Sequence, residues 1–437
     1  MEIEKKEKFS QSFTFKAMIV GVLVLLMLIP QTMIQGLILE REQRSKETVA
    51  KINEKWSLEQ TLCPPVLVIP YTQTGTNAEQ KTYTQEHEWF LTPEKVAVDV
   101  RLIPIERHYG IYKAILYQSE ITIDGHFAPD IPLTTESCTP NFNKAYLLLG
   151  MSDLRGITRK INFNFDGQTY DTQAASSQLF GAKCMKIELN NDWVKNPEGS
   201  YSFSCSMKLN GSGAIHFIPV AKTTQVSVVG DWPSPSFTGN FSPEYSCDNK
   251  GFQATWNVLE FNRNIPERWS DKFDNNLKGA SFGVNLVETV DHYQQNMRSS
   301  KYALMFIALT FVIFYFVEVL TRKRIHPIQY LLVGTALILF YSLLLSFSEQ
   351  TGFAWAYLIA CVATVALIVS YVYSIFKNFT QTGILGLLLS GLYIFLYVVL
   401  QLEDLALIIG SVGLFIILGI IMFVSRKINW YKPEMVA

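Results

Sequence analysis

The sequence predicts a membrane protein of the α+β class, with six transmembrane helices, one N-terminal and five C-terminal, and a large β-rich, sandwich-like extracytoplasmic domain. Three observations carry that expectation. Apolar residues concentrate near the N-terminus and in nearly everything after Tyr302. Residues 40–300 have ordinary soluble composition, enough chain for a real core. Among the short loops that join the C-terminal spans, Lys and Arg fall only in alternate segments, as the positive-inside rule demands.

Taken in order, residues 1–16 form a cytoplasmic N-terminus carrying Lys5, Lys6, Lys8 and Lys16. A helix needs about 20 apolar residues to cross a bilayer, and residues 17–39 satisfy that, with a kink expected at Pro30. A cleaved signal peptide is the competing reading, but no small-x-small site follows Pro30 and the apolar pattern continues through Ile34, Leu37, Ile38 and Leu39. The helix is expected to continue as a stalk over 40–60, where Val49, Ile52 and Trp56 recur at helical spacing and Glu40–Arg44, Glu42–Lys46 and Glu47–Lys51 make i,i+4 pairs. Pro64-Pro65 is the expected stop.

The extracytoplasmic domain reads as short extended runs divided by turn formers: Val66–Tyr71, Lys95–Leu102, Gly110–Tyr117, Ala145–Met151, Ile157–Phe165, Met185–Leu189, Tyr201–Leu209, Gln225–Val229 and Phe252–Phe261. Asp124-Gly125, Asp166-Gly167, Asn210-Gly211 and Asn249-Lys250-Gly251 read as turns, and the polar stretch Asp171–Gln178 suggests a weak boundary. Five cysteines lie here, Cys63, Cys138, Cys184, Cys205 and Cys247. An oxidising compartment would permit disulfides, with Cys184 and Cys205 on neighbouring strands; free buried thiols are the equal alternative.

The five further spans fall near 303–321, 327–347, 353–376, 382–400 and 404–424, within a bundle over 301–425 and before a cytoplasmic C-terminus, 426–437. Arg322, Lys323, Arg324, Lys377, Arg426, Lys427 and Lys432 mark the inner side, whereas Glu349, Glu403 and Asp404 mark the outer loops. Small residues at four-residue spacing, Ala356/Ala360/Thr364 and Gly386/Ser390, allow close helix approach.

Chemistry is not announced. The sequence contains no His-Glu-x-x-His, Cys-x-x-Cys, Gly-x-Ser-x-Gly or Walker-type phosphate loop. No catalytic residue, cofactor or metal is expected, and a net charge of −1 without a basic face excludes nucleic acid. Of the ionisable residues in the spans, Glu318 stands out, one turn from a helix end and four residues before Arg322. Its bland reading is a snorkelling carboxylate paired with Arg322; its functional reading is a polar contact to another helix or a buried water. Glu349, at an outer helix mouth, costs little there.

One stretch is more specific. Ile325-His326-Pro327-Ile328-Gln329-Tyr330-Leu331-Leu332-Val333-Gly334, then Phe340-Tyr341 and Leu343 to Glu349, strongly resembles the inner-membrane CreD family. Lys301-Tyr302-Ala303, Gly352-Phe353, Trp232-Pro233-x-Pro235, Gly251-Phe252-x-Ala254-x-Trp256 and, near the start, Arg41, Arg44, Trp56, Gln60 and Ile69-Pro70-Tyr71 fit the same pattern. Two positions depart from it: Pro64-Pro65 stands where the family usually has Gly-Pro, and Gln350 where it often has His. The resemblance implies a bacterial inner-membrane protein tied to cell-envelope integrity and envelope stress, with no reaction assigned.

From the residues themselves, His326-Pro327 marks a helix start, Gln329 sits at the inner face, Trp232 with Pro233 and Pro235 makes a stiff extended segment with an aromatic anchor, and Trp256 is more simply core than ligand-binding. The candidate polar residues of the membrane part are thus Glu318, Arg322, His326, Gln329 and Glu349; those of the outer domain are Arg41, Trp56, Gln60, Trp232 and Trp256. Three functions compete: an outer domain that binds or senses an envelope component, a transporter or lipid-handling protein with a cavity in the bundle, and a membrane enzyme on a cell-wall or lipid-linked substrate. The expected partners are the lipid bilayer and an envelope component or another membrane protein, with oligomeric state open.

Overall fold

A computed structural model describes residues 13–76, 82–128, 138–179, 182–189, 199–263, 265–270, 280–286, 292–321, 325–402 and 406–426. The chain divides into two compact units: Met1–Lys46 with Val290–Ala437, and Glu47–Thr289.

The first unit is helical: α1 (Phe13–Leu26), α2 (Leu28–Trp56), whose last turns belong to the second unit, α3 (His292–Lys301), α4 (Ala303–Thr321), α5 (Pro327–Thr351), α6 (Phe353–Phe376), α7 (Phe379–Gln401) and α8 (Ala406–Ser425). Four continuous runs are long and apolar enough to cross a membrane: Lys16–Trp56, Pro327–Thr351, Phe353–Phe376 and Phe379–Gln401. A fifth follows if His292–Lys301 and Ala303–Val319, bent by 45°, count as one span, while Ile408–Phe423 is apolar but shorter.

Near Pro30, where a kink is expected, the helix is interrupted only at Met27, between α1 and α2, and Lys16–Trp56 remains one continuous run. Proline has no N–H, so the carbonyl of Leu26, four residues back, loses its helical donor there. Gln31 N–H resumes the ladder to Met27 O at 3.2 Å. The stalk also stops sooner than expected. The helix ends at Trp56, and Pro64-Pro65 lie inside the first strand, at a register irregularity between Cys63 and Val66. A bulge tolerates prolines because the ladder is already interrupted there.

The second unit contains, among the described residues, β1 (Gln60–Thr76), β2 (Thr82–Leu91), β3 (Lys95–Tyr109), β4 (Tyr112–Phe127), β5 (Cys138–Pro140), β6 (Tyr146–Met151), β7 (Asn162–Phe165), β8 (Gln168–Leu179), β9 (Ala182–Glu188), β10 (Tyr201–Ser212), β11 (Ala214–Phe217), β12 (Thr223–Gly230), β13 (Pro235–Gly239), β14 (Glu244–Cys247), β15 (Phe252–Leu259), β16 (Arg268–Ser270) and β17 (Phe282–Leu286). They form two arms. One runs β14-β15-β12-β3-β4-β10-β7-β8, antiparallel except for β12–β3. The other runs β8-β9-β6-β1, where β1 takes β5 beside β6 and, on its far edge, β11 and then β2. β17 and β13 continue from β11, and β16 from β2. β8 belongs to both arms: Gln168–Asp171 pair with β7, and later residues pair with β9.

The arms share one core. Alternation in β12 and β15 sends Val226, Val228, Ala254 and Trp256 inward. They meet Leu67, Ile69, Leu147, Phe217 and Phe282 of the other arm, with the Trp256 and Phe282 rings 5.5 Å apart. β1 is buried on both faces, because Cys63, Val66 and Val68 enter a second cluster with Leu148, Ile218, Val220 and Ile265.

Several sequence expectations change here. Asp166-Gly167 is a hairpin turn, both residues having positive φ (47° and 80°), the two-residue geometry that matches strand twist. Asn249-Lys250-Gly251 is also a turn, with Asp248 Oδ1 accepting from the N–H of Lys250 and Gly251, each at 2.8 Å. Asp124-Gly125 and Asn210-Gly211, in contrast, lie inside β4 and β10. Their glycines make room for side chains: a Cβ on Gly211 would stand 2.2 Å from the Tyr117 hydroxyl. Asp171–Gln178 is no boundary but part of β8. Nor are Cys184 and Cys205 on neighbouring strands. β9 is edged by β6 and β8, β10 by β4 and β7, and the two thiols enter different cores. All six cysteines are free thiols.

Candidate functional site

Two polar clusters interrupt the apolar helical unit, one near each end of α5. At the Pro327 end, Glu318 of α4 is 6% exposed. Its Oε1 accepts from the Lys16 ammonium of α1 and from Ile325 N–H at 3.1 Å; its Oε2 accepts from the Tyr330 hydroxyl of α5 at 3.0 Å. A buried carboxylate is tolerable only when such partners surround it. Arg322, the expected partner, lies outside the described residues. His326 and Gln329 do separate work, capping α5: His326 Nδ1 accepts from Ile328 N–H at 3.3 Å, and Gln329 Oε1 from His326 N–H at 2.9 Å. With Pro327 in the first turn, this is a reciprocal capping box.

At the Thr351 end, Glu349 is held by the Tyr293 hydroxyl at 3.1 Å and by Arg41 at 4.0 Å. Beneath it, Asn296 Nδ2 donates to Ser348 Oγ at 2.7 Å, and Gln31 Nε2 donates to Ser300 O and Oγ at 2.7 and 2.8 Å. Gln31 lies fifteen residues beyond Lys16 on the α1–α2 path, roughly 22 Å at helical rise. The clusters are thus separated by most of a hydrocarbon thickness.

Between them the bundle is filled by rings. Phe340 is fully buried, with ring centroids 5.0 Å from Tyr341, 5.4 Å from Tyr357 and 4.8 Å from Tyr393. The Tyr357 hydroxyl donates to Tyr393 O at 2.7 Å. Gly334 permits a further close approach, since a Cβ there would meet Met27 Sδ at 2.8 Å.

The candidates of the β unit are mostly structural. Gln60 is fully buried and clasps the end of α2 to the sheet: its Nε2 donates to Ser57 Oγ (2.9 Å), Asp153 O (3.0 Å) and Asn210 O (3.1 Å). Asp153 takes Leu58 N–H at 3.1 Å and the Arg155 guanidinium at 2.9 Å. Those hydrogen bonds, led by Arg155, hold its carboxyl at about 2 despite partial desolvation. Trp56 stacks beneath the Arg107 guanidinium, 5.3 Å from its ring, and its N–H points to Tyr117 O. Trp232 and Trp256 are core, Trp256 donating to Phe241 O at 3.1 Å. Arg41 alone of this set lies in the helical unit.

A groove of about 710 Å³ opens on the β unit, lined by Pro70, Glu86, His87, Glu88, Lys144, Tyr146, Lys186 and Glu188 among others. The Tyr146 hydroxyl donates to Glu88 at 2.6 Å, and the Lys186 ammonium sits 4.5 Å over the Tyr146 ring and 2.9 Å from Glu188. Sequence reasoning missed this groove, because its residues come from four separate strands and a connecting turn. It also missed Lys16, Tyr330 and Gln31 as partners. The polar face of α3 did leave a signal, Asn296, Ser299 and Ser300 at i, i+3, i+4 spacing.

The model of the family described as "Inner membrane protein CreD" matches residues 12–431. The Inner membrane protein CreD of Escherichia coli (strain K12) is 32% identical over 425 residues, covering 95% of this chain and 93% of that protein. Among solved structures, native yeast LTA4 hydrolase aligns over 51% of this chain and 35% of its own at 8% identity, with a TM-score of 0.19, too low to carry an argument. The chain therefore belongs to the CreD family of inner-membrane proteins.

Proposed function

We propose that this membrane protein supports bacterial cell-envelope integrity or the envelope-stress response by binding an envelope component, without catalysing a reaction. In this reading six helices cross the bilayer, residues 17–39 first and five within 301–425. Both termini, 1–16 and 426–437, are cytoplasmic, and residues 40–300 form a sandwich-like periplasmic domain. The distribution of Lys and Arg among the short loops supports that topology.

The observation that carries the reading is the groove of about 710 Å³ on the β unit, large enough for a small ligand or a polymer segment. Lys144–Glu86 and Lys186–Glu188 are ion pairs, Glu88 accepts from the Tyr146 hydroxyl, and the Tyr146 ring offers an aromatic platform. Such a surface suits a polar, uncharged or zwitterionic ligand better than a strongly charged one. A transport or lipid-handling role is favoured by the buried polar face of α3 but opposed by the aromatic layer around Phe340.

Site-specific photocrosslinking in intact cells tests the reading. A photoreactive residue replaces Asn143 or Glu86 in the groove and, as control, Gln225 on the exposed face of β12. A discrete adduct from the groove positions, absent at Gln225 and weakened by Lys186→Glu, is expected. Equal crosslinking at all three positions overturns the groove as a binding site.

A further inference from the structure

Helix α3 is polar along almost its whole length, His292-Tyr293-Gln294-Gln295-Asn296-Met297-Arg298-Ser299-Ser300-Lys301, yet Asn296, Ser299 and Ser300 are each no more than 1% exposed. These three positions share one helix face. Their docking satisfies only half of their polar groups. Asn296 donates to Ser348, and Ser300 accepts from Gln31. Asn296 Oδ1, Ser299 Oγ and Gln31 Oε1 remain buried without a hydrogen-bond partner, as do Gln295 Oε1 and His292 Nε2. A native interior normally leaves few such groups, and each weakens the packing that buries it.

The apolar hold on α3 is small. Ile38, Tyr293 and Leu345 form the cluster there, with Ile34, Leu37 and Met297 around it. A pivot is already present. The chain bends by 45° between α3 and the apolar α4, and at the bend Tyr302 N–H reaches Ser299 O, three residues back, at 3.1 Å. That shorter step is the tightened turn found where helices change direction.

We propose that α3 is a latch. The docked position exchanges with an undocked one in which the helix pivots at Tyr302 and solvent satisfies Asn296, Ser299 and Gln31. Asn296–Ser348, Gln31–Ser300 and Tyr293–Glu349 are the catches. In chain order α3 is the first helix after β17, the last described strand of the β unit. The latch stands independently of what, if anything, the groove of the β unit binds.

Hydrogen–deuterium exchange of the full chain in lipid nanodiscs tests this directly. Amides of α3 are expected to exchange at least a hundredfold faster than those of α5, although each helix has a buried face. Ser348→Ala, which removes one catch, should speed α3 exchange by about tenfold while leaving α5 unchanged, the effect of one lost hydrogen bond on an opening equilibrium. In a Cys138→Ser/Cys247→Ser background, Ser299→Cys should react with a water-soluble maleimide while Ala360→Cys stays inert. Protection of α3 equal to that of α5 overturns the latch, whatever the labelling; the exchange measurement on the unsubstituted chain does not depend on any variant folding.

Discussion

The Tyr330 hydroxyl donates to Glu318 Oε2 at 3.0 Å, across the junction where α4 ends and α5 begins. The other oxygen of the same carboxylate receives Lys16 and Ile325 N–H. One side chain thus joins α1, α4, α5 and the connector between them.

Glu318→Leu should therefore destabilise the helical unit more than loss of the Tyr330 hydroxyl alone. It strands the Lys16 ammonium, the Ile325 N–H and the Tyr330 hydroxyl together, at a cost of about 3–5 kcal/mol. Tyr330→Phe removes one bond and should cost about 1–2 kcal/mol. Thermal unfolding in detergent should rank the Tm values wild type, Tyr330→Phe, Glu318→Leu, from high to low. A Glu318→Leu protein as stable as wild type would show that the ion pair does not form in the membrane.

Gly156 is the second point of sensitivity. A Cβ there would stand 2.3 Å from Asn210 O, 2.7 Å from Gln60 Nε2 and 2.9 Å from Ser57 Oγ. Backbone cannot yield as a flexible side chain can, so Gly156→Ala must displace the clasp that seats the end of α2. A loss of about 2–4 kcal/mol is expected, in the range of an overpacked core with broken hydrogen bonds. Limited proteolysis of the full chain should show earlier cleavage within the β unit of Gly156→Ala, with the helical unit still protected.

The same clasp has a defined acid dependence. Asp153 is held at about 2 in the folded protein, below the ordinary 3.8. The folded state therefore binds its proton more weakly than the unfolded chain does. Its contribution is fully present above about pH 4 and is lost as pH falls toward 2. Because Arg155 is more than half exposed, solvent screening reduces the effect to about 1–2 kcal/mol. Asp153→Asn should be less stable at neutral pH, and its deficit relative to wild type should shrink between pH 4 and pH 2 in denaturant titrations.

How much of this could be read from the chain follows from the range of each interaction. Apolar runs and loop charges are local or additive signals imposed by the bilayer, which is why the helical segments were legible. His326-Pro327 marked a helix start for the same reason, the cap being made within one turn. Long central strands such as β3, β10, β12 and β15 announced themselves by alternation. The short edge strands β5, β13, β14 and β16 did not, since an exposed or three-residue strand has no buried face to pattern. Pro64-Pro65 misled, because a proline pair reads as a stop and here sits in a bulge. The Glu318 site was half legible: the buried carboxylate stood out, but Lys16 is 302 residues away in sequence, and no local pattern links them.

The aromatic layer yields the sharpest test between a closed bundle and a conducting one. Phe340 is fully buried and its ring touches those of Tyr341, Tyr357 and Tyr393, midway between the Glu318 and Glu349 clusters. Phe340→Ala should cost about 3–5 kcal/mol, because the neighbouring tyrosines are fixed by their own packing and cannot fill the space. Tyr357 in particular is tethered to Tyr393 O. If the layer only packs the bundle, proteoliposomes holding the wild-type chain should release trapped ions no faster than protein-free vesicles, and Phe340→Ala should lower the Tm without changing that rate. A transport path predicts the opposite: measurable wild-type flux that responds to the size of the side chain at position 340. Finding such flux would move the functional centre of the molecule from the groove of the β unit into the bundle, with Phe340 as its constriction.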